Sequence, residues 1–188
     1  MSAPPSQIHD NARRLCRQLA PNSIPSYIEL RPSSEIEVND CFGGLPSYIQ
    51  RHGGRQLIGW AIWEWPHVFI EAEFHSVWEA PDGACIDVTP KQIPFKRVLF
   101  LPDPDRAYEG FQVDNIRYAL RPDLEIARFI ELSELMYREL NKGELKYQHG
   151  TVATSPLYIQ CFKEKAALEM VIAERYGHHL LAAIQAET

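Results

Sequence analysis

The sequence lacks any long run of apolar residues, and no stretch approaches the roughly 20 residues that a membrane-spanning helix needs. Its beginning also lacks the basic segment followed by an apolar segment that a secretory signal needs. Lys and Arg are scattered and the net charge is −6, which argues against a basic surface that tracks nucleic-acid phosphates. We therefore expect a cytoplasmic protein with neither nucleic acid nor a membrane as partner.

The four cysteines form no C-x-x-C pair and lie far apart, at positions 16, 41, 85 and 161. This spacing indicates neither a zinc knuckle nor a compact disulfide framework, so most of the cysteines should be free thiols. No cofactor is expected. A length of 188 residues, with 45% apolar and 23% charged residues, suits a single globular domain over residues 1–188 and leaves the oligomeric state open.

The first quarter of the chain is predicted to be an arm leading into the core. Residues 1–36 contain a stretch at helix-like spacing over 6–20, and prolines then favour an irregular or extended chain. A short helix should follow and end at the paired glycines Gly53-Gly54. Its first residue lies either near Cys41 or at about Leu45, because two glycines and a proline in between weaken the first turn.

The middle of the chain changes to a period of two. Antiparallel strands of a meander are expected from Leu57 to Thr89, another strand at 97–102, and a further one within 112–120. In the second strand of the meander, the alternation assigns the even-numbered apolar residues to the core face and the odd-numbered polar residues to the opposite, solvated face.

The last third of the chain is predicted to be a helical pair. One helix should run from Leu124 to the stop at Gly143, and another from Ser155 to about Tyr176. Residues 37–121 thus form a helix plus an antiparallel sheet core, and residues 122–188 form C-terminal helices. The expected fold is α+β, with an antiparallel sheet of four to five strands packed against an N-terminal helix and a C-terminal helical pair.

Cys41 is the best candidate for a reactive group. It lies between a polar Asn-Asp pair and flexible glycines near a predicted helix N-terminus, where unpaired N–H groups lower a thiol pKa. A thiol nucleophile also needs a base within hydrogen-bond reach, and the base needs an orienting acceptor. His75 and Asp87 could supply these on neighbouring strands. They share a face only if the intervening turn has a three-residue loop or a bulge, because a two-residue Asp82-Gly83 loop would separate them.

The order Cys41, then His75 in FHSVW, then Asp87 in GACIDVTP resembles the transglutaminase-like branch of the papain-like thiol enzymes. The resemblance covers residues 38–90. It implies Cys41 as nucleophile, His75 as general base and acid, Asp87 as the orienting carboxylate, and the Cys41 N–H as part of an oxyanion hole. The pattern departs from the family at Phe42, where a tryptophan is usual, and at Trp78, which lies three residues after the histidine instead of two.

Two other functions remain open. Glu71, Glu73, His75 and Glu79 form an E-x-E-x-H-x3-E run that could hold a divalent metal, chiefly through Glu73 and His75. Alternatively, tryptophans on the sheet could bind a protein partner without catalysis, although tryptophan is also frequent in cores.

The sequence therefore favours a cysteine-dependent acyl-transfer enzyme, whether amide hydrolase, deamidase, peptidase or transglutaminase-like. Its substrate would be a peptide, a protein side chain or a small amide. The candidate catalytic residues are Cys41, His75 and Asp87, and the candidate substrate-binding residues are Asn39, Trp63, Trp65 and Trp78.

Overall fold

The computed structural model describes residues 1–148 and 153–188, in which four α-helices surround a mixed six-stranded sheet. The strands are β1 (Ser26–Leu30), β2 (Arg55–Trp65), β3 (Phe69–Glu79), β4 (Cys85–Asp87), β5 (Arg97–Pro102) and β6 (Ile116–Ala119). The helices are α1 (Asp10–Leu19), α2 (Leu45–His52), α3 (Leu124–Leu140) and α4 (Pro156–Glu187), with a 3-10 turn at Gly143–Tyr147.

Five of the strands close into a barrel, in the order β2-β5-β1-β4-β3 with β3 returning to β2, and β6 extends β3 outside it. The α+β class is confirmed, and the expectation of an antiparallel sheet of four to five strands is only partly right, because the sheet has six strands, one of its pairings is parallel and five strands form a barrel. β1 comes from the proline-rich arm and pairs in parallel with β4, Glu29 opposite Ile86, and antiparallel with β5, Ile28 opposite Val98. This inserted strand makes the sheet mixed and closes it.

The long hairpin of β2 and β3 is buried on both faces. One face, with Trp60 and Phe74, packs against α1 through the cluster that includes Leu15. The other face, with Trp65 and Phe69, packs against α3 and α4. The expectation that the odd-numbered face of β3 is solvated is therefore wrong, because closure of the barrel buries it and the C-terminal helices cover its end at Phe69.

The C-terminal helices begin at the caps that the sequence indicates. Asp123 Oδ1 accepts hydrogen bonds from the N–H groups of Glu125 and Ile126, and Ser155 Oγ accepts one from the N–H of Tyr158. These contacts satisfy N–H groups that a helix leaves unpaired in its first turn.

α4 continues well past Tyr176, where its end was predicted, and reaches Glu187. Glycine in a helix interior costs about 1 kcal/mol, but packing outweighs this at Gly177, because Leu180 beyond it is buried and Glu187 forms an ion pair with Arg97 at 2.7 Å. Among the described residues, none of the helices has the length and apolarity that crossing a bilayer requires.

Candidate active site

His75 and Asp87 form a fully buried pair, with His75 Nε2 2.8 Å from Asp87 Oδ2. The register that joins them comes from the turn between β3 and β4. The Ala80 N–H donates to Ala84 O at 2.9 Å across a three-residue loop, and Gly83 adopts φ +88°, a left-handed conformation that glycine tolerates. The condition set by the sequence is met, and both side chains lie on the same face of the sheet.

The residue opposite His75 on β2 is a glycine that has no room for a side chain. Gly59 is the residue paired with His75. A methyl group at position 59 would lie 2.1 Å from Leu101 O, so only glycine fits there. The histidine is therefore enclosed by the barrel.

Asp87 is held as a carboxylate by its neighbours. Its Oδ1 accepts a hydrogen bond from the Thr89 N–H at 3.0 Å, and its Oδ2 lies 3.5 Å from Lys91 Nζ. Burial alone would raise the pKa of Asp87, but the charges of His75 and Lys91 and the bonds from His75 and Thr89 lower it from 3.8 to about 2. Asp87 is thus ionised at neutral pH.

His75 is held as an imidazolium by its anionic neighbours. Burial and the Lys91 ammonium lower its pKa, but the Asp87 carboxylate, the charge that Cys41 carries when ionised and the hydrogen bond to Asp87 outweigh them and raise it from 6.5 to about 10. Both ring nitrogens then carry protons. The Nε2–H donates to Asp87, so the 3.4 Å approach of Lys91 Nζ to Nε2 brings together two cations that share one carboxylate.

The second ring nitrogen of His75 has no hydrogen-bond partner. Among the described residues, the only buried side-chain polar atoms without a partner are His75 Nδ1 and Thr89 Oγ1. Leaving a buried donor unpaired costs about 1–3 kcal/mol, and more for a charged group. The unsatisfied N–H is therefore a place where the protein would gain by acquiring an acceptor.

Cys41 lies just before α2, not inside it. The helix begins at Leu45, the later of the two predicted starts, and Cys41 occupies a preceding turn in which Asp40 Oδ1 accepts the Gly43 N–H at 2.9 Å. Cys41 is 8% exposed, and its carbonyl oxygen accepts a 2.6 Å hydrogen bond from Ser76 Oγ. This bond fixes the cysteine against the residue that follows His75 in β3.

An interruption in strand pairing brings the Cys41 segment to the edge of β3. β6 pairs with residues 69–72 and β4 with residues 78–79, so within the described chain this edge has no strand beside residues 73–77. Asn39, two residues before Cys41, donates its N–H to Pro90 O at 3.0 Å. Residues 39–41 therefore lie between the opening in β3 and the chain that follows Asp87.

The cysteine and histidine are close without being hydrogen-bonded. Ser76 points to the face of β3 opposite the one that carries His75 and Asp87. The backbone of Cys41, which Ser76 contacts, is therefore on that opposite face, and Cys41 reaches His75 only around the open edge of the strand. Cys41 is near enough that its charge, when ionised, raises the pKa of His75, yet Nδ1 has no partner. Catalytic hydrogen bonds are often long before substrate binds.

Cys41 lines a cavity of about 770 Å³, the right size for a small-molecule or peptide side-chain site. Phe42 forms an aromatic wall with two other rings, lying 5.1 Å from Phe74 and 4.2 Å from Tyr108 between ring centroids. The remaining wall comes from residues 110–115, the end of α3 and the 3-10 turn.

Of the candidate substrate-binding residues, Asn39 lines this cavity and the tryptophans do not. Trp63 is 7% and Trp65 2% exposed, and both pack in the core. Trp63 Nε1 donates to Glu73 at 2.7 Å, and the partly buried Trp78 donates to Gly53 O at 2.9 Å. The tryptophans therefore form no exposed aromatic sheet face.

The carboxylates of the E-x-E-x-H-x3-E segment, the possible metal ligands, bond to other side chains. Glu71 accepts bonds from Arg117 and Asn115, and Glu79 pairs with Arg55 at 2.7 Å. His75 is bonded to Asp87. No cluster of three or more His, Cys, Asp or Glu side chains suited to a metal ion occurs in residues 1–148 and 153–188. The structure thus gives the metal alternative no ligand set.

Sequence patterns did not indicate Lys91 or Ser76. Lys91 follows Asp87 by four residues, but on an irregular segment, where such spacing carries no geometric meaning. Ser76 lies between His75 and Val77 and looks like an ordinary strand residue until its bond to Cys41 O is seen. Comparison with known proteins adds no further constraint on the site: no family model matches the chain, and no curated protein or solved structure shows significant similarity to it.

Proposed function

We propose that this protein is a cysteine-dependent acyl-transfer enzyme in which Cys41, His75 and Asp87 act together. The proposal depends on one observation: the buried imidazole of His75 lies beside Cys41, its Nε2 is bonded to Asp87, and its Nδ1 has no hydrogen-bond partner. A thiolate is the acceptor that the Nδ1–H lacks. The order of the three residues, which resembles that of transglutaminase-like thiol enzymes, supports the same assignment.

The chemistry assigned to each group follows from its charge state. The Cys41 thiolate attacks the carbonyl carbon of an amide or ester, and the carbonyl oxygen takes up the negative charge. His75 Nδ1–H then gives its proton to the leaving group as the bond to the carbonyl carbon breaks, leaving an acyl-enzyme on sulfur. A water molecule or an amine gives its proton to His75 Nδ1 and attacks the thioester, which releases the acyl group and restores the Cys41 thiolate and the His75 imidazolium. Asp87 keeps the ring oriented throughout.

An activated ester tests the first half of this reaction without knowledge of the natural substrate. With p-nitrophenyl acetate, we expect a burst of one equivalent of nitrophenolate per chain and an acetyl group on Cys41, detected by mass spectrometry of peptides. Cys41→Ala should remove the burst, while Cys85→Ala, a change at a half-buried cysteine outside the cavity, should leave it intact. Acetylation spread evenly over the cysteines, or no burst at all, would contradict the proposal.

The cavity walls predict a preference for cationic groups. Glu37, Asp40 and Glu73 line it, and none forms an ion pair with a residue of the described chain, whereas Lys146 is the one Lys or Arg among the lining residues. Clefts lined by one sign of charge raise encounter rates by about 10-fold or more. Aromatic rings beside them also favour cations.

Charged methanethiosulfonates measure this preference directly at Cys41. Relative to a free thiol, we expect the trimethylammonium reagent to react about 10-fold faster than the sulfonate reagent at low salt. Glu73→Gln should reduce the ratio, and salt should reduce it further. The matched control is Glu29→Gln, at an exposed residue of β1 outside the cavity. An equal ratio for Cys41 and the free thiol would show that the carboxylates do not govern access.

A further inference from the structure

The outward face of α4 carries an apolar stripe that no described residue covers. Its large members are Ile159, Phe162, Met170 and Leu181, which are 44%, 55%, 75% and 62% exposed. Met170 and Leu181 lie on the side of the helix away from Ile172, which is fully buried, and Phe162 lies nearer the packed side, in line with the buried Leu180. Exposed apolar faces of this kind mark interaction sites.

The stripe has the regular spacing of a helix-packing surface. Its members follow one another at intervals of three and four residues, and the positions between the large ones are small: Ile159, Phe162, Ala166, Met170, Ala173, Gly177 and Leu181. At 1.5 Å per residue the stripe is about 33 Å long. Small residues allow a second helix to approach closely, and the three-and-four spacing keeps the stripe on one side.

We propose that this stripe is the interface of a homodimer in which α4 packs antiparallel against α4 of a second copy. A two-fold axis at Met170 makes the stripe complementary to itself. Ile159 then meets Leu181 of the partner subunit, and Phe162 meets Gly177 of the partner subunit, a large side chain against a small one. Such self-complementarity is what an isologous interface requires.

The charges bordering the stripe fit the same arrangement. Lys163 and Glu174 each follow a stripe residue on the same side of the helix. Antiparallel packing brings equivalent sides of the two helices together, so Lys163 lies within reach of Glu174 of the partner subunit, and the pair occurs twice by symmetry. In a parallel pair the equivalent sides of the two helices lie on opposite sides of the interface, so Lys163 and Glu174 would not meet.

The composition of this face disfavours a membrane surface as occupant. A helix that lies on a bilayer is rich in Lys and Arg along its polar side, whereas the charges next to the stripe on α4 are one lysine, Lys163, and two glutamates, Glu169 and Glu174. A helix pair of this length buries on the order of 1,000 Å² in total, near the lower limit for a specific interface. The dimer should therefore form at micromolar concentration and dissociate on dilution.

Disulfide trapping tests the geometry, in a Cys41→Ser, Cys85→Ser background of the full chain. Met170→Cys should form a dimeric disulfide, because the two copies meet at the axis. Ile159→Cys should not crosslink alone but should crosslink when mixed with Leu181→Cys. Self-crosslinking of Ile159→Cys would indicate parallel helices and overturn the proposal.

Sedimentation across a concentration series tests the surface itself. Met170→Glu should raise the dimer dissociation constant at least about 100-fold, because it brings two uncompensated charges together at the axis. Ile24→Glu is the matched control: Ile24 is 84% exposed and lies outside the stripe, so this variant should dimerise like the wild type. A wild-type monomer at every concentration, or binding of the wild type to anionic vesicles in place of dimer formation, would overturn the proposal.

Discussion

Replacing His75 by glutamine is expected to slow the acetylation of Cys41 by about 10²–10⁴-fold, the usual contribution of a general acid–base. Glutamine can still hydrogen-bond to Asp87, but it cannot give a proton to the leaving group as the His75 Nδ1–H does. The variant should also lose thiolate at neutral pH, because the imidazolium that stabilises it is gone. The measurement is the burst rate with p-nitrophenyl acetate.

The control for this experiment is a second histidine, which lies outside the proposed site. His52 is exposed at the end of α2 and pairs with Glu35 at 3.0 Å, so His52→Gln should acetylate at the wild-type rate. An acylation rate for His75→Gln within about threefold of wild type would mean that His75 takes no part in proton transfer. Circular dichroism and thermal unfolding establish that both variants are folded.

The pH dependence of alkylation supports the test even if His75→Gln fails to fold. Burial raises the pKa of Cys16 to about 11 and also raises the pKa of Cys85. Iodoacetamide at about pH 6 should therefore label Cys41 of the wild-type protein and leave these two thiols largely unmodified. Equal, slow labelling of all the cysteines would count against a thiolate at Cys41.

Local sequence patterns were sufficient to predict most of the secondary structure and the pairing of His75 with Asp87. The alternation in β3 and β4 and the turn at Gly83 correctly set the condition under which His75 meets Asp87. These features depend on residues close together in sequence. β1 was missed because its pairing with β4 and β5 is non-local, and its five residues follow prolines that indicate only an extended chain.

The surroundings of the site depend on contacts that no spacing rule describes. Closure of the strands into a barrel encloses a face of β3 that alternation alone assigns to solvent, and so a histidine expected to be solvated is buried. Because the pair of His75 with Asp87 is buried, removing one partner costs more free energy of unfolding than it would at the surface. The position of Cys41 beside the open edge of β3 likewise follows from where β6 and β4 begin to pair, which the sequence does not indicate.

Asp87→Asn should lower the free energy of unfolding by about 3–5 kcal/mol at neutral pH, because it leaves His75 and Lys91 buried without their shared counter-ion. The folded-state pKa of Asp87 is about 2, below the ordinary 3.8, so its contribution is present above pH 3.8 and is lost as the pH falls towards 2. The folded-state pKa of His75 is raised to about 10, so its contribution is present below pH 6.5 and is lost as the pH rises towards 10.

The loss of stability at low pH and the loss at high pH come from the same interaction between Asp87 and His75. Together they predict how the stabilisation by this pair varies with pH. The difference in unfolding free energy between wild type and Asp87→Asn should be greatest between about pH 4 and 6.5 and should shrink on either side. Urea unfolding across this range measures it, with Asp105→Asn, an exposed aspartate, as the control that should remain within about 0.5 kcal/mol of wild type. A difference that stays constant with pH would mean that Asp87 stabilises the fold through packing alone, and the charged pair on which the proposed chemistry depends would then not exist.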